Sequence, residues 1–178
     1  MLRYVWLQPH KKHNNVTGNV MMEKSKKIVI ALFTITITSI AIYLNWDNSL
    51  MGTAATSFNM VVTTIYLLSW VLFSFCWGVI KDFRYYKFML IYWGIHLFCF
   101  VLVTIAKDMA SLIIPLMIWF GSPSYGLEYF YDFPNRAIDN IACGIIPFIL
   151  NIMGFWGGVL ISGLLLGKQN KSKENKQL

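Results

Sequence analysis

Among the Asp, Glu, Lys, Arg and His residues of this chain, only His96 lies deep within an apolar stretch, Phe88–Ala106. A neutral imidazole in that position can relay a proton or bind a metal, because its two ring nitrogens differ in donor and acceptor roles. Cys99 follows three residues later and Tyr92 precedes by four, so all three share one helical face. An ionisable group inside a membrane is a functional candidate by its cost alone. Against a proton path, no Asp or Glu lies within any apolar stretch. A lone histidine equally joins helices as a neutral hydrogen-bonding residue, and that reading is preferred.

A second pattern is Gly154, Gly158 and Ser162, with Asn151 one turn before it. Small residues four apart let helix backbones approach closely, so dispersion contact can drive association in lipid. The ladder serves packing within the bundle or a homodimer, with the internal contact favoured. Asn151 adds an interhelical hydrogen bond, or lines a pathway together with His96.

The third group is acidic: Asp108, Glu128, Asp132 and Asp139, with Arg136 among them. Paired carboxylates can do acid–base work or bind a hard cation. Their spacing matches no catalytic pattern, and carboxylates in such a loop are ordinarily solvated or paired with Arg136 and Lys107. His10 and His13 flank Lys11 and Lys12, whose charge repels a metal ion. The three cysteines, Cys76, Cys99 and Cys143, form no C-x-x-C and lie at different expected depths, so free thiols are expected. The H-E-x-x-H, G-x-S-x-G and G-x-x-x-x-G-K patterns are absent. No catalytic residue, metal or cofactor is assigned.

The elements that must position these residues are long apolar runs. Residues 28–44, 58–80, 88–106 and 141–167 each approach or exceed the roughly 20 residues that cross a bilayer core as a helix. With 57% hydrophobic and 13% charged residues, against about 25% charged in soluble domains, the surface is expected to face lipid. Thr34 and Thr38 share one face of the first run. Asn59, Thr63, Trp70, Ser74 and Gly78 mark a protein-facing stripe on the second. Residues 109–120 are apolar, broken by Pro115 and too short to span. They read as a re-entrant or interfacial helix on the outer side, with a kinked extension of the third span as the rival. Gly121–Asn140 reads as a structured outer loop.

Lysine and arginine set the orientation. Arg3, Lys11, Lys12, Lys24, Lys26 and Lys27 precede the first span, Lys81, Arg84 and Lys87 separate the second and third, and Lys168, Lys171, Lys173 and Lys176 follow the last. These are thirteen of the fifteen basic residues, and the alternation is the positive-inside bias. It puts both termini in the cytoplasm. It also assigns the +7 net charge to topology and anionic lipid, not to nucleic acid.

Residues 1–27 are expected to form a cytoplasmic segment, with Tyr4 and Trp6 at the membrane or with translation starting at Met21 or Met22. A cleaved leader is disfavoured because Tyr43, Asn45 and Trp46 offer no small-residue site, although Thr53–Thr56 resembles one. Residues 28–167 form the four-span domain and residues 168–178 a disordered tail. The many Lys, Asn and Ile residues point to an AT-rich bacterial genome and a plasma-membrane home.

The fold expected is an all-α, four-helix transmembrane bundle with an extra non-spanning apolar helix. The function expected is that of a small, non-enzymatic accessory, regulatory or immunity-type subunit of a larger membrane complex, or of a self-associating protein. The alternatives are a small oligomeric transporter or channel using His96 and Asn151, and an enzyme or binding site at the outer acidic loop. Replacing Gly158 with leucine is expected to disrupt folding or assembly. Unchanged expression, stability and oligomeric state would remove the ladder from both roles.

Overall fold

The computed structural model describes the backbone of residues 11–51, 53–105, 110–130 and 136–174. All regular structure among them is helical: α1 (Lys11–Met51), α2 (Ser57–Ile80), α3 (Phe83–Ile105), α4 (Ala110–Ser124), a 3-10 segment (Tyr125–Phe130) and α5 (Arg136–Glu174). Four stretches are long and apolar enough to cross a membrane: Met22–Ser49, Ser57–Ile80, Phe83–Ile105 and Ile141–Leu165. The all-α class, the four spans and the further helix agree with the sequence. Outward-facing apolar side chains such as Ile65, Leu68 and Leu72 on α2 are well exposed, as a lipid-facing surface requires.

The chain forms two compact units, residues 1–36 and 37–178. The first holds the start of α1, where Lys27 and Glu23 pair one turn apart at 3.7 Å. In the same unit Thr34 Oγ1 donates to the Ile30 carbonyl at 2.8 Å. This local bond meets the hydroxyl's need in an apolar stretch. The second unit holds everything that follows.

Local sequence explains the boundaries in the second unit. The α2 helix begins with a capping box, in which Thr56 and Asn59 satisfy each other's backbone N–H groups. It ends at Lys81, which is left-handed at φ 58°, with Lys81 N–H on the Gly78 carbonyl and Asp82 N–H on the Trp77 carbonyl. Such a terminus usually takes glycine. Asp82 Oδ1 then accepts from Arg84 N–H at 3.1 Å, so two residues reverse the chain from α2 into α3.

The broadest helix contact is between α2 and α5, and glycine makes it possible. A Cβ on Gly78 would stand 2.0 Å from the Phe155 carbonyl oxygen. One on Gly158 would stand 2.2 Å from that of Phe75, and one on Gly154 would stand 2.8 Å from that of Val71. Around this crossing lie Trp70, Tyr85, Met89, Trp93 and Phe155, all fully buried. Trp77 stacks on Tyr85 at 5.4 Å and Trp70 stacks on Tyr92 at 4.9 Å.

Several boundaries differ from the sequence expectation. Helix α1 continues past Leu44 to Met51, which moves Asn45 from a loop into a helix. Its backbone is also helical from Lys11, within the residues expected to form the cytoplasmic segment. Helix α5 starts at Arg136 and runs to Glu174, into the segment expected as a disordered tail, whose last four residues lie outside the described ones. Lys and Glu have good helix propensity, and no proline stops the propagation. The expected outer loop loses its first ten residues to α4 and the 3-10 segment. Helix α4 turns back along α3, because its Phe120 ring meets Tyr92 at 5.2 Å and His96 at 5.9 Å. A kinked extension of α3 could not make those contacts.

Replacement of Gly78 or Gly158 by alanine is expected to lower stability by about 1–3 kcal/mol, the usual range for an overpacked core. Gly163 has nothing within 4 Å of a built Cβ, so Gly163→Ala is expected to be neutral. Thermal unfolding midpoints in one detergent compare the three variants. An equal loss for all three would remove the close crossing as the cause.

Candidate functional site

His96 is fully buried, and its Nε2 lies 3.2 Å from the Cys143 carbonyl oxygen. The reason is on α5. In a helix that carbonyl accepts from the N–H four residues later, but residue 147 is proline and has none. A carbonyl cannot donate, so His96 carries its proton on Nε2 and supplies the bond that Pro147 cannot. The ring is walled by Trp93, Phe100 and Phe120, at centroid distances of 4.9, 5.0 and 5.9 Å. Tyr92 lies nearby, and its hydroxyl is paired with Thr38 Oγ1 at 3.2 Å.

Asn151 occupies a second centre on the same helix, one turn beyond Pro147. Its Nδ2 donates to the Pro147 carbonyl at 2.9 Å, and its Oδ1 accepts from Ser74 Oγ at 2.9 Å. Ser74 has only one hydroxyl hydrogen, so its 2.7 Å contact with Tyr85 is donated by the tyrosine. Helices α2, α3 and α5 are thereby tied through one buried chain of hydroxyls and an amide. Gly154 and Gly158 lie against α2, as described, while Ser162 is half-buried.

A third centre, at the end of the bundle holding the α1–α2 connection, is the largest. Asn45, fully buried, donates to the Ser122 carbonyl at 2.9 Å and accepts from Asn59 Nδ2 at 3.0 Å. Asn59 Oδ1 accepts from Asn48 at 2.7 Å and from the Thr56 backbone at 2.9 Å. Thr63 Oγ1 donates to the Pro123 carbonyl at 2.9 Å and accepts from Gly126 N–H at 3.0 Å. Ser49 and Ser122 meet at 3.0 Å. The last carbonyls of a helix have no internal partner, so side chains from α1 and α2 act as the C-terminal cap of α4. Gly126 is required for this, since its Cβ would stand 2.0 Å from the Asn59 carbonyl oxygen.

The sequence singles out His96 and Asn151, and on α2 the stripe Asn59, Thr63, Trp70, Ser74 and Gly78, all buried. It misses Asn45, Ser122 and Gly126. A signal existed for Asn45. It lies seven residues beyond Thr38, on the face that Thr34, Thr38 and Ala41 already mark, and all four are buried.

The acidic group is different. Glu128 is exposed on the 3-10 segment. Asp108 and Asp132, and the side chains of Arg136 and Asp139, lie outside the described residues. Next to Glu128, burial first and the carboxylate's charge second push the Tyr125 phenol above its ordinary pKa of 10.0. No disulfide joins the three cysteines; Cys76 is exposed and Cys99 and Cys143 are buried. Among the described residues no three of His, Cys, Asp and Glu converge on a metal-sized space.

No protein-family model, curated protein or solved structure matches the chain.

His96→Leu is expected to cost about 1–3 kcal/mol, the penalty for a buried carbonyl left without its donor. Pro147→Ala restores the backbone donor, so His96→Leu should cost less in that background. Unfolding free energies of both singles and the double, measured in one micelle system, give the coupling. Strict additivity would break the link between the two residues.

Proposed function

We propose that this chain is a non-enzymatic accessory or regulatory subunit in a bacterial plasma membrane, with cytoplasmic N- and C-termini. One observation carries the reading. His96, Asn151, Asn45, Asn59, Thr63 and Ser74 all bond to other groups of the chain. They join helices: His96 is held there through Nε2, and Asn151 has both ends of its amide engaged. Groups that line a solute pathway must instead exchange partners with the solute. Such tied groups suit a protein whose output is its outer surface and its presence in an assembly.

The orientation follows from the basic residues. Lys81, Arg84 and Lys87 are exposed at the α2–α3 turn, beside the aromatic rings of Tyr86 and Trp156, whose Nε1–H meets the Tyr86 hydroxyl at 3.4 Å. Cations and amphipathic aromatics together suit a membrane–water interface, and anionic headgroups are the fitting partners for those cations. Glu128, exposed on the 3-10 segment, then belongs to the opposite side. It offers a partner-contact surface or, under the competing reading, part of an enzymatic or binding site.

Purification from native membranes in mild detergent is expected to yield a stoichiometric complex with a larger membrane protein, recovered reciprocally when that partner carries the tag. The purified chain alone, in liposomes, is expected to conduct neither protons nor solutes. Proton or solute flux that falls in His96→Gln or Asn151→Leu would overturn the subunit reading in favour of transport. A phenotype lost in Asp132→Asn with folding intact would overturn it in favour of an outer-face site.

A further inference from the structure

Gly78, Gly126, Gly154 and Gly158 are each explained by a neighbouring backbone that a Cβ would strike. Gly94, in the middle of α3, is different. Nothing lies within 4 Å of a Cβ built there, and the residue is partly exposed. Glycine inside a helix is unfavourable relative to alanine, and no close approach within the chain accounts for it here. Its neighbours on the helix surface are apolar and turned outward: Ile91, one turn before, is 64% exposed, and Phe98, one turn after, is 62% exposed. Gly94 therefore makes a notch in an outward apolar stripe.

The same side of α3 carries charge at its start. Lys87 lies two turns before Gly94, Arg84 lies three residues before Lys87, and both are exposed. Lys81, also exposed, is left-handed at a position that ordinarily takes glycine, so a cation stands where the turn itself favours no side chain. Asp82 is the acidic residue among these three cations. Phe83, one turn before Lys87, meets Phe155 at 5.8 Å and Trp156 at 6.3 Å, which sets a ledge of rings beside them. At about 1.5 Å per residue, Lys87 to Phe98 covers about 16 Å, close to half of a hydrocarbon core about 30 Å thick. The stripe thus has the length of one leaflet, with its cations at headgroup level. A second copy packed in parallel on this side would set Arg84 and Lys87 against their own counterparts, an unfavourable juxtaposition of like charges.

We propose that this side of α3 binds one anionic phospholipid, its phosphate held by Lys87, Arg84 and Lys81 and one acyl chain lying along Ile91, Gly94 and Phe98. The proposal rests on the reading of Lys81–Lys87 as an interfacial turn. It adds to that reading a single discrete site, in place of a general attraction of cations to a charged surface. Charge complementarity selects the headgroup. The missing Cβ at Gly94 lets the chain approach the helix backbone.

Native mass spectrometry of the full-length protein, released from detergent with added phosphatidylglycerol or phosphatidylcholine, tests the site. One phosphatidylglycerol is expected to be retained in preference to phosphatidylcholine. Lys87→Gln is expected to weaken that retention about five-fold, the effect of one interfacial cation. Gly94→Leu fills the notch and leaves every cation in place, and it too is expected to weaken retention. Lys24→Gln removes the same charge elsewhere in the chain and is expected to leave retention unchanged. Equal retention of the two lipids, no change in Lys87→Gln or Gly94→Leu, or an equal loss in Lys24→Gln would each overturn the site. A dimer that dissociates in Gly94→Leu would overturn it in favour of a second copy. An alkaline phosphatase fusion after Leu178 reads the orientation separately, so a failed orientation and a failed lipid site are distinct results.

Discussion

A backbone carbonyl in hydrocarbon must find a donor within the protein, because no water is there to supply one. Much of this structure follows from that constraint. Proline at residue 147 leaves the Cys143 carbonyl without its helical donor, and His96 from α3 provides it. The end of α4 leaves the Ser122 and Pro123 carbonyls, and Asn45 from α1 and Thr63 from α2 provide for them. In each case a local irregularity of one helix is satisfied by a side chain of another. The irregularity thereby becomes a tertiary bond with a defined depth and direction.

Such bonds need helices close enough for short side chains to reach, and glycine sets that distance. Gly78, Gly154 and Gly158 let α2 and α5 approach until carbonyls occupy the space a Cβ would take. Ser74 and Asn151 then meet at 2.9 Å in the same crossing. Gly126 does likewise for the 3-10 segment on α2, where Thr63 receives its N–H. Hydrophobic association adds little between helices already in lipid. Specificity therefore rests on dispersion at the glycine contacts and on polar pairs that only one register can make.

The spans were legible because apolar length and flanking charge are properties of contiguous sequence. The α2 stripe from Asn59 to Gly78 was legible for a similar reason, since polar and small residues at helical spacing have one buried interpretation within an apolar run. The role of Asn45 was hidden by a boundary. It sits just after the last apolar residues of the first span, where asparagine normally signals a loop, and its partners Asn59 and Ser122 lie 14 and 77 residues away. The role of His96 was hidden because its meaning comes from a proline on a different helix. Spacing shows that both residues exist, but only packing brings Nε2 to the one carbonyl that Pro147 cannot serve. Pro115 misled in the other direction. It suggested a broken segment, yet α4 is continuous through it.

A histidine in mid-membrane invites a catalytic or transport role, but such a role requires freedom that this site restricts. To pass a proton through Nε2, His96 would have to release the Cys143 carbonyl. The backbone of α5 cannot replace that bond while residue 147 is proline. The aromatic wall of Trp93, Phe100 and Phe120 limits rotation of the ring toward another acceptor. Asn151 is constrained in the same way, with both ends of its amide engaged. Chemistry that needs mobile or solvent-linked groups is better placed on the surface, at the exposed basic turn Lys81–Lys87 or on the face carrying Glu128. The interior then acts as the frame that fixes where those two surfaces stand.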